Sequence, residues 1–256
     1  MISNNELKYY TSLLNKKYRK IENKFLIEGK KIVEEGLASN YECEKIFITG
    51  KFEESNPGMT KKIRTSKLPV EVLKSSDFKK ISDTKAPQGI AAVLKMKQKV
   101  FSSSLIKDKF LVYLEDISDP GNLGTIIRNC DWFGVKNILL SKESAEIYNP
   151  KVLRASMGSV FHSNIFEAVS FNELIKLKHS GYKFVCSDIT GKNVFDIKWN
   201  DKSILFLSNE SEGPSQELIS IADYKITIPR SGKAESLNVA SASAIILALL
   251  AKGQTK

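Results

Sequence analysis

The second half of the chain is built from short runs in which apolar residues follow one another instead of alternating with polar ones. Residues 110–114, 137–140, 183–186 and 203–207 form such runs, and a further short strand is read at 225–228. A strand that is apolar on both faces must be covered on both, which is the condition of a largely parallel sheet with helices on either side. Helical patterns near 123–133, 150–157, 172–179 and 238–251 alternate with these strands, and 164–168 reads as extended. The last helix is almost wholly Ala, Ser, Ile and Leu, so it is expected to be buried in the domain or between two copies.

Residues 1–97 carry a different pattern, with helices expected near 4–14 and 29–39 and strands at 45–49 and 89–95. Between them lie a turn-rich stretch at 53–59, a short strand at 61–65 and a helix near 69–75. This describes a small α/β front domain. Residues 98–108, with clustered serines and lysines and little periodicity, read as a linker to an α/β domain over 109–256. The 256 residues suit two domains, although length alone admits one large domain.

Charge separates the two halves. Residues 1–108 hold 22 Lys or Arg against 13 Asp or Glu, whereas 109–256 hold 17 against 16. Lysine and arginine contacts to phosphates release counterions and supply most sequence-independent affinity for nucleic acid. The run with Lys16, Lys17, Arg19 and Lys20 has no interleaved acid, which favours RNA over a merely solvated surface. Arg154 is a further RNA-contact candidate. No apolar stretch approaches the roughly 18 residues of a membrane span, so no membrane is expected and the chain is expected in the cytoplasm. Three dispersed cysteines and two histidines lack ligand spacing, which leaves the cysteines as expected buried thiols and predicts no metal site.

Three of the apolar strands run into polar loops. The strand at 110–114 leads through Asp119, Pro120 and Gly121 to Asn122 and a helix bearing Arg128. The strand at 203–207 leads to Ser208, Asn209, Glu210 and Gly213. The strand ending at Ile228 leads to Pro229, Gly232 and Ser236-Leu237-Asn238. Each loop taken singly reads as an ordinary βα turn, with Ser236 or Asn238 capping the last helix. Together they place amides, a carboxylate and a guanidinium at one sheet edge, where ligands bind in α/β folds. Neither Gly-x-Gly-x-x-Gly nor Gly-Lys-Ser/Thr is present, which argues against a dinucleotide or nucleoside triphosphate.

In this order the three segments resemble the signature motifs of the SpoU (TrmH-type) class of SPOUT RNA methyltransferases. Asn122-x-Gly124-x-x-x-Arg128 resembles the first, Leu207-Ser208-Asn209-Glu210 with Gly213 the second, and Ile228-Pro229, Gly232 and Ser236-Leu237-Asn238-Val239 the third. Residues 151–159 resemble the family's Arg-Ala-Ser-x-Gly segment. Residues 25–29 and 87–93 look like landmarks of an L30e-like substrate-binding domain. The resemblance implies a trefoil-knotted C-terminal domain, a homodimer and methylation of a ribose 2′-hydroxyl with S-adenosylmethionine. Large-subunit rRNA is favoured over tRNA, and a non-catalytic RNA-binding relative is the competing reading.

It further implies that Leu207, Ser208, Asn209, Glu210, Gly213, Ile228, Pro229, Gly232 and Leu237 hold the donor. Arg128 would serve catalysis, oriented with the ribose or donor by Asn122, Glu210, Ser236 and Asn238. A guanidinium stays protonated in proteins, so gripping phosphate and stabilising a developing alkoxide is the easier role for Arg128 than literal base. Ser208 and Ser211 depart from the small residues usual in the family, where a glycine permits positive φ or close approach of the donor, and these departures keep the non-catalytic reading open.

Overall fold

A computed structural model of the chain describes residues 2–199 and 201–253. The first part runs α1 (Asn4–Ser12), α2 (Lys16–Glu22), β1 (Lys24–Glu28), α3 (Lys30–Ala38), β2 (Cys43–Thr49), α4 (Gly50–Ser55), α5 (Pro57–Thr65), β3 (Val70–Leu73), α6 (Ser75–Phe78) and β4 (Ile90–Lys95). Its four strands lie in the order β1-β4-β2-β3. β4 pairs antiparallel with β1 and β2, and β2 pairs parallel with β3. Leu7, Tyr10 and Leu13 from the first helical stretch close one core over Leu26, Phe47 and Val93 of the strands.

Two expected elements here are exchanged. The 61–65 stretch is the end of α5, which also takes in part of the expected turn region: Pro57 sits in the first turn, and Thr60 and Ile63, three apart, are the buried positions. The expected helix near 69–75 is instead mostly β3. Its two β-branched valines suit a pleated surface, and Ile46 N–H donates to the Pro69 carbonyl at 2.9 Å as pairing begins.

The remainder runs β5 (Phe110–Glu115), α7 (Pro120–Trp132), β6 (Asn137–Leu140), α8 (Pro150–Ser156), β7 (Asn164–Phe166), α9 (Phe171–His179), β8 (Lys183–Asn193), β9 (Ser203–Ser208), α10 (Gln216–Ile221), β10 (Tyr224–Thr227) and α11 (Val239–Lys252). Six strands form one sheet in the order β10-β8-β9-β5-β6-β7, every pair parallel. This is the sheet that the continuous apolar runs predict.

The domain boundaries differ from expectation in two ways. Residues 1–98 and 147–161 form one compact unit, and 99–146 with 162–256 form the other, so the expected 109–256 block is interrupted. In the first unit Tyr148 packs 4.4 Å from the Phe25 ring, and its hydroxyl accepts from Lys97 N–H and donates to the Lys97 carbonyl. Val152 and Leu153 of α8 are fully buried. The expected linker is also structured, because Phe101 and Ile106 pack on the core of the second unit around Tyr182, Phe184 and Phe206. Serine-rich composition suggested a spacer; two apolar side chains decided otherwise.

Candidate active site at the carboxyl edge of the parallel sheet

Because all six strands point one way, β5, β8, β9 and β10 deliver their following loops to the same edge. Helix α7 starts there. Asp119 caps it by accepting from Asn122 N–H at 2.8 Å, and Pro120 occupies the first turn, where its missing N–H costs nothing. The helix buries Leu123, Ile126, Ile127 and Cys130, which turns Thr125, Arg128 and Trp132 outward. Arg128 is exposed and, among the described residues, makes no hydrogen bond or ion pair.

The three motif loops meet on one carboxylate oxygen. Glu210 Oε1 accepts from Asn122 Nδ2 at 3.0 Å, from Asn238 Nδ2 at 2.8 Å and from Val239 N–H at 3.1 Å. Asn238 Nδ2 also donates to Asn122 Oδ1 at 3.0 Å. Asn238 Oδ1 in turn caps α11, accepting from Ala240 and Ser241 N–H. Residues separated by more than a hundred positions are thereby fixed to one another through charge-assisted bonds. Asn129, which sequence reasoning passed over, completes the frame by donating to the Ala240 carbonyl at 3.0 Å and to Ser243 Oγ at 2.8 Å. Its signal was its place beside Arg128, at the position that turns toward α11.

Other expected site residues are distributed unevenly. Ser236 is exposed and has no hydrogen bond among the described residues, so it does not join the cluster; Asn238 is the cap of the two candidates. Leu207 is buried in β9, which leaves only its backbone for a ligand. Asn209 folds its own loop, its carbonyl accepting from Gly213 N–H and its side chain from Ser211 N–H, both at 2.9 Å. Gly213 has φ +69°, the left-handed conformation that glycine adopts without strain. Ile228 is half-buried, Pro229 and Gly232 are exposed, and Leu237 is 48% exposed. Arg230 donates to the Ala234 carbonyl at 2.9 Å and braces its own loop. The Ser208 hydroxyl donates to Glu115 Oε2 at 2.8 Å.

Between the ends of β9 and β10, strand β8 makes an excursion that the sequence did not signal. Cys186 pairs with Lys225 and Lys192 with Ile226, so residues 187–191 loop out of the ladder. Lys225 Nζ ties the excursion down through Asp188 and Thr190, each at 2.8 Å. Burial opposes ionisation of Asp188, but the Lys225 ammonium and the Thr190 backbone outweigh it and hold its carboxyl below the usual range. Burial pushes the Cys186 thiol up to about 12 and raises Cys130 further, so both are inert protonated thiols.

In the first unit the basic candidates split. Lys16, Lys17 and Lys20 are exposed on α2, with Lys17 Nζ 5.9 Å from the ring of half-exposed Tyr18. Arg19 is a correction: it is 2% exposed, and Nη1 donates to the Leu13 and Leu14 carbonyls at 2.9 and 2.8 Å. Those carbonyls follow the end of α1 and need buried donors, so Arg19 is a structural residue and no phosphate contact. Arg154 is held by Asp83 at 2.8 Å.

Residues 109–248 match the model of the SpoU rRNA Methylase family, and residues 4–92 match an MRM3-like substrate binding domain. The chain belongs to the SpoU rRNA methylase family. It is 31% identical over 245 residues to the 23S rRNA (guanosine(2553)-2′-O)-methyltransferase RlmP of Bacillus subtilis, covering 95% of both chains. The SpoU methyltransferase AviRb of Streptomyces viridochromogenes, solved in complex with the cofactor AdoMet, superposes with a TM-score of 0.88 at 25% identity over 98% of both chains. The TrmH/SpoU tRNA modifying enzyme of A. aeolicus, 28% identical, covers 58% of this chain and 76% of its own, with a TM-score of 0.53.

Proposed function

We propose that this family member transfers a methyl group from S-adenosylmethionine to a ribose 2′-hydroxyl in large-subunit rRNA. The observation that carries the reading is the Asn122–Glu210–Asn238 cluster at the start of the helix that also carries Arg128, exposed and without a hydrogen bond or ion pair among the described residues. The donor would supply a methyl on a sulfonium: the ribose oxygen would form the new O–C bond as the C–S bond breaks, the sulfur leaving as a neutral thioether and the hydroxyl proton passing to water. Alignment in a water-poor site carries much of the rate. The cluster holds the first turn of α7 against the loops that follow β9 and β10, and so sets where Arg128 stands. Arg128 donates to the neighbouring phosphate and to the oxygen as negative charge develops on it, a task matched to a planar, permanently charged fork.

Support for rRNA over tRNA comes from the front unit. The rRNA relative spans nearly the whole chain, whereas the tRNA enzyme corresponds to little more than half of it. Lys16, Lys17 and Lys20 form the RNA contact of that unit. Arg154 would join it only by leaving Asp83. The working form is a homodimer in the cytoplasm: Trp132 is 81% exposed and α11 keeps Ala244, Ile245, Ala248 and Leu249 half-exposed along one face, surfaces that a second copy would cover. From β10 at the sheet edge the chain returns past β9 to lay α11 on α7, a path in keeping with a trefoil knot. No helix among the described residues is long and apolar enough to cross a membrane. The transfer needs no metal.

The test is a map of ribose methylation, read by protection from alkaline hydrolysis, in matched cells with and without the gene. Loss of protection at one position of large-subunit rRNA is expected. Loss in a tRNA would move the substrate, and an unchanged map with the protein expressed would leave the non-catalytic reading.

A further inference from the structure

Glu115 closes strand β5 at the edge of the site, half-buried, and among the described residues no cation pairs with it. One of its oxygens receives two donors. Glu115 Oε2 accepts from Ser208 Oγ at 2.8 Å and from Ser215 N–H at 3.0 Å. These two residues are the beginning and the end of the loop that contains Glu210: Ser208 ends β9, and Ser215 caps α10 by accepting from Leu218 N–H. A third bond, from Asn209 N–H to the Glu115 carbonyl at 3.2 Å, holds the same loop to the same residue.

We propose that Glu115 is a positioning residue for the reaction, clamping both ends of the 208–215 loop on a single acceptor oxygen so that Glu210 and the donor-facing backbone are preorganised. The inference rests on the function proposed above and deepens it. Hydrogen bonds to an ionised acceptor are stronger than neutral ones, and two converging on one oxygen fix a distance as well as an orientation. The loop's other bonds hold its middle, through Glu210 and the Asn209 turn, and leave its two ends to Glu115; Ser211 and Glu212 are exposed, and Gly213 gives the backbone a residue with wide conformational freedom. Ser208 is part of the clamp. Where a glycine offers no side-chain donor, this chain supplies a hydroxyl, and the Glu115 carboxylate draws that hydroxyl into the clamp.

The geometry separates an acceptor role from a charge role. Glutamine at 115 keeps one oxygen that can receive both donors, whereas alanine removes it. Binding of S-adenosylmethionine to the full-length protein by calorimetry, with steady-state methylation of rRNA, decides between them. Glu115→Ala should weaken donor binding roughly tenfold and raise its KM in parallel, while kcat at saturating donor falls less than about threefold. Glu115→Gln should restore binding to within about threefold of the unmodified protein. Ser208→Ala, which removes one donor and leaves the Ser215 bond, should fall between the two and serves if Glu115→Ala does not fold. Unmodified affinity in both Glu115→Ala and Ser208→Ala overturns the clamp, as does an equal loss in the Gln and Ala variants, which would assign the effect to charge. Absence of donor binding in the unmodified protein would instead sink the methyltransferase reading, and the clamp with it.

Discussion

Helices α7 and α8 begin alike, each with a capping Asp or Asn followed by proline, and each carries an arginine that the motifs single out. Their surroundings part them. α7 belongs to the parallel-sheet unit and presents Arg128 without a partner among the described residues; α8 is packed into the front unit and holds Arg154 to Asp83. The same residue type in similar local sequence is left without a partner among the described residues in one place and is a fastening in the other. What separates them is the acid from a distant loop, and no local pattern contains it.

The comparison can be broken at several points. Arg128→Lys should lower kcat at least about a hundredfold while donor affinity stays within about twofold, because lysine keeps the charge and loses the planar fork. Near-normal turnover would remove the distinction between the two arginines. Gly158→Ala should destabilise the protein by about 1–3 kcal/mol in urea unfolding. Gly158 follows α8 with φ +101°, and an added Cβ would come within 2.6 Å of Glu35 Cγ. A neutral result would show that α8 is not seated on the front unit as described.

Arg154→Ala is expected to cost less than about 1 kcal/mol, since the pair is partly exposed and screened. The salt dependence of RNA binding should not change. A shallower slope would mean that Arg154 leaves Asp83 for a phosphate, and the comparison would narrow. The smallest effect concerns acid. Against desolvation, Lys225 holds the Asp188 carboxyl low, and the Phe184 backbone with Lys178 does the same for Asp223. A depressed folded value gives stability that is present above the ordinary carboxylate pKa of about 3.9 and is lost as pH falls through the lowered value. Between about pH 5 and pH 2 the denaturation midpoint should fall, and less steeply in Asp188→Asn; parallel slopes would detach Asp188 from acid stability.

The parallel sheet was legible because continuous apolar strands allow few other arrangements, and the meeting of three loops followed from strands pointing one way. Motif order brought Asn122, Glu210 and Asn238 to one sheet edge, but that they bond to one another was not legible in it. The losses came where long-range partners decide. Arg19 reads as one more cation in a basic run until its guanidinium is seen under the carbonyls that follow α1. Ser236 and Asn238 are equally good caps on paper, and only backbone direction selects one. Pro57 and Pro69 each admit a helix start or a strand approach; burial three residues apart settled the first, and pairing with β2 settled the second. Glu115 carried only the weak signal of an acid at the end of an apolar strand.

The seating of residues 147–161 in the front unit bears on the order of events during synthesis. As the chain emerges, residues 1–98 can pair their strands, but the surfaces meant for Tyr148, Val152 and Leu153 stay wet until Phe161 has appeared. By then β5, α7 and β6 of the following unit are already out. The front unit is begun first and finished second, so a ribosome pausing before residue 161 holds two unfinished cores at once, and a shortened chain ending there leaves both open.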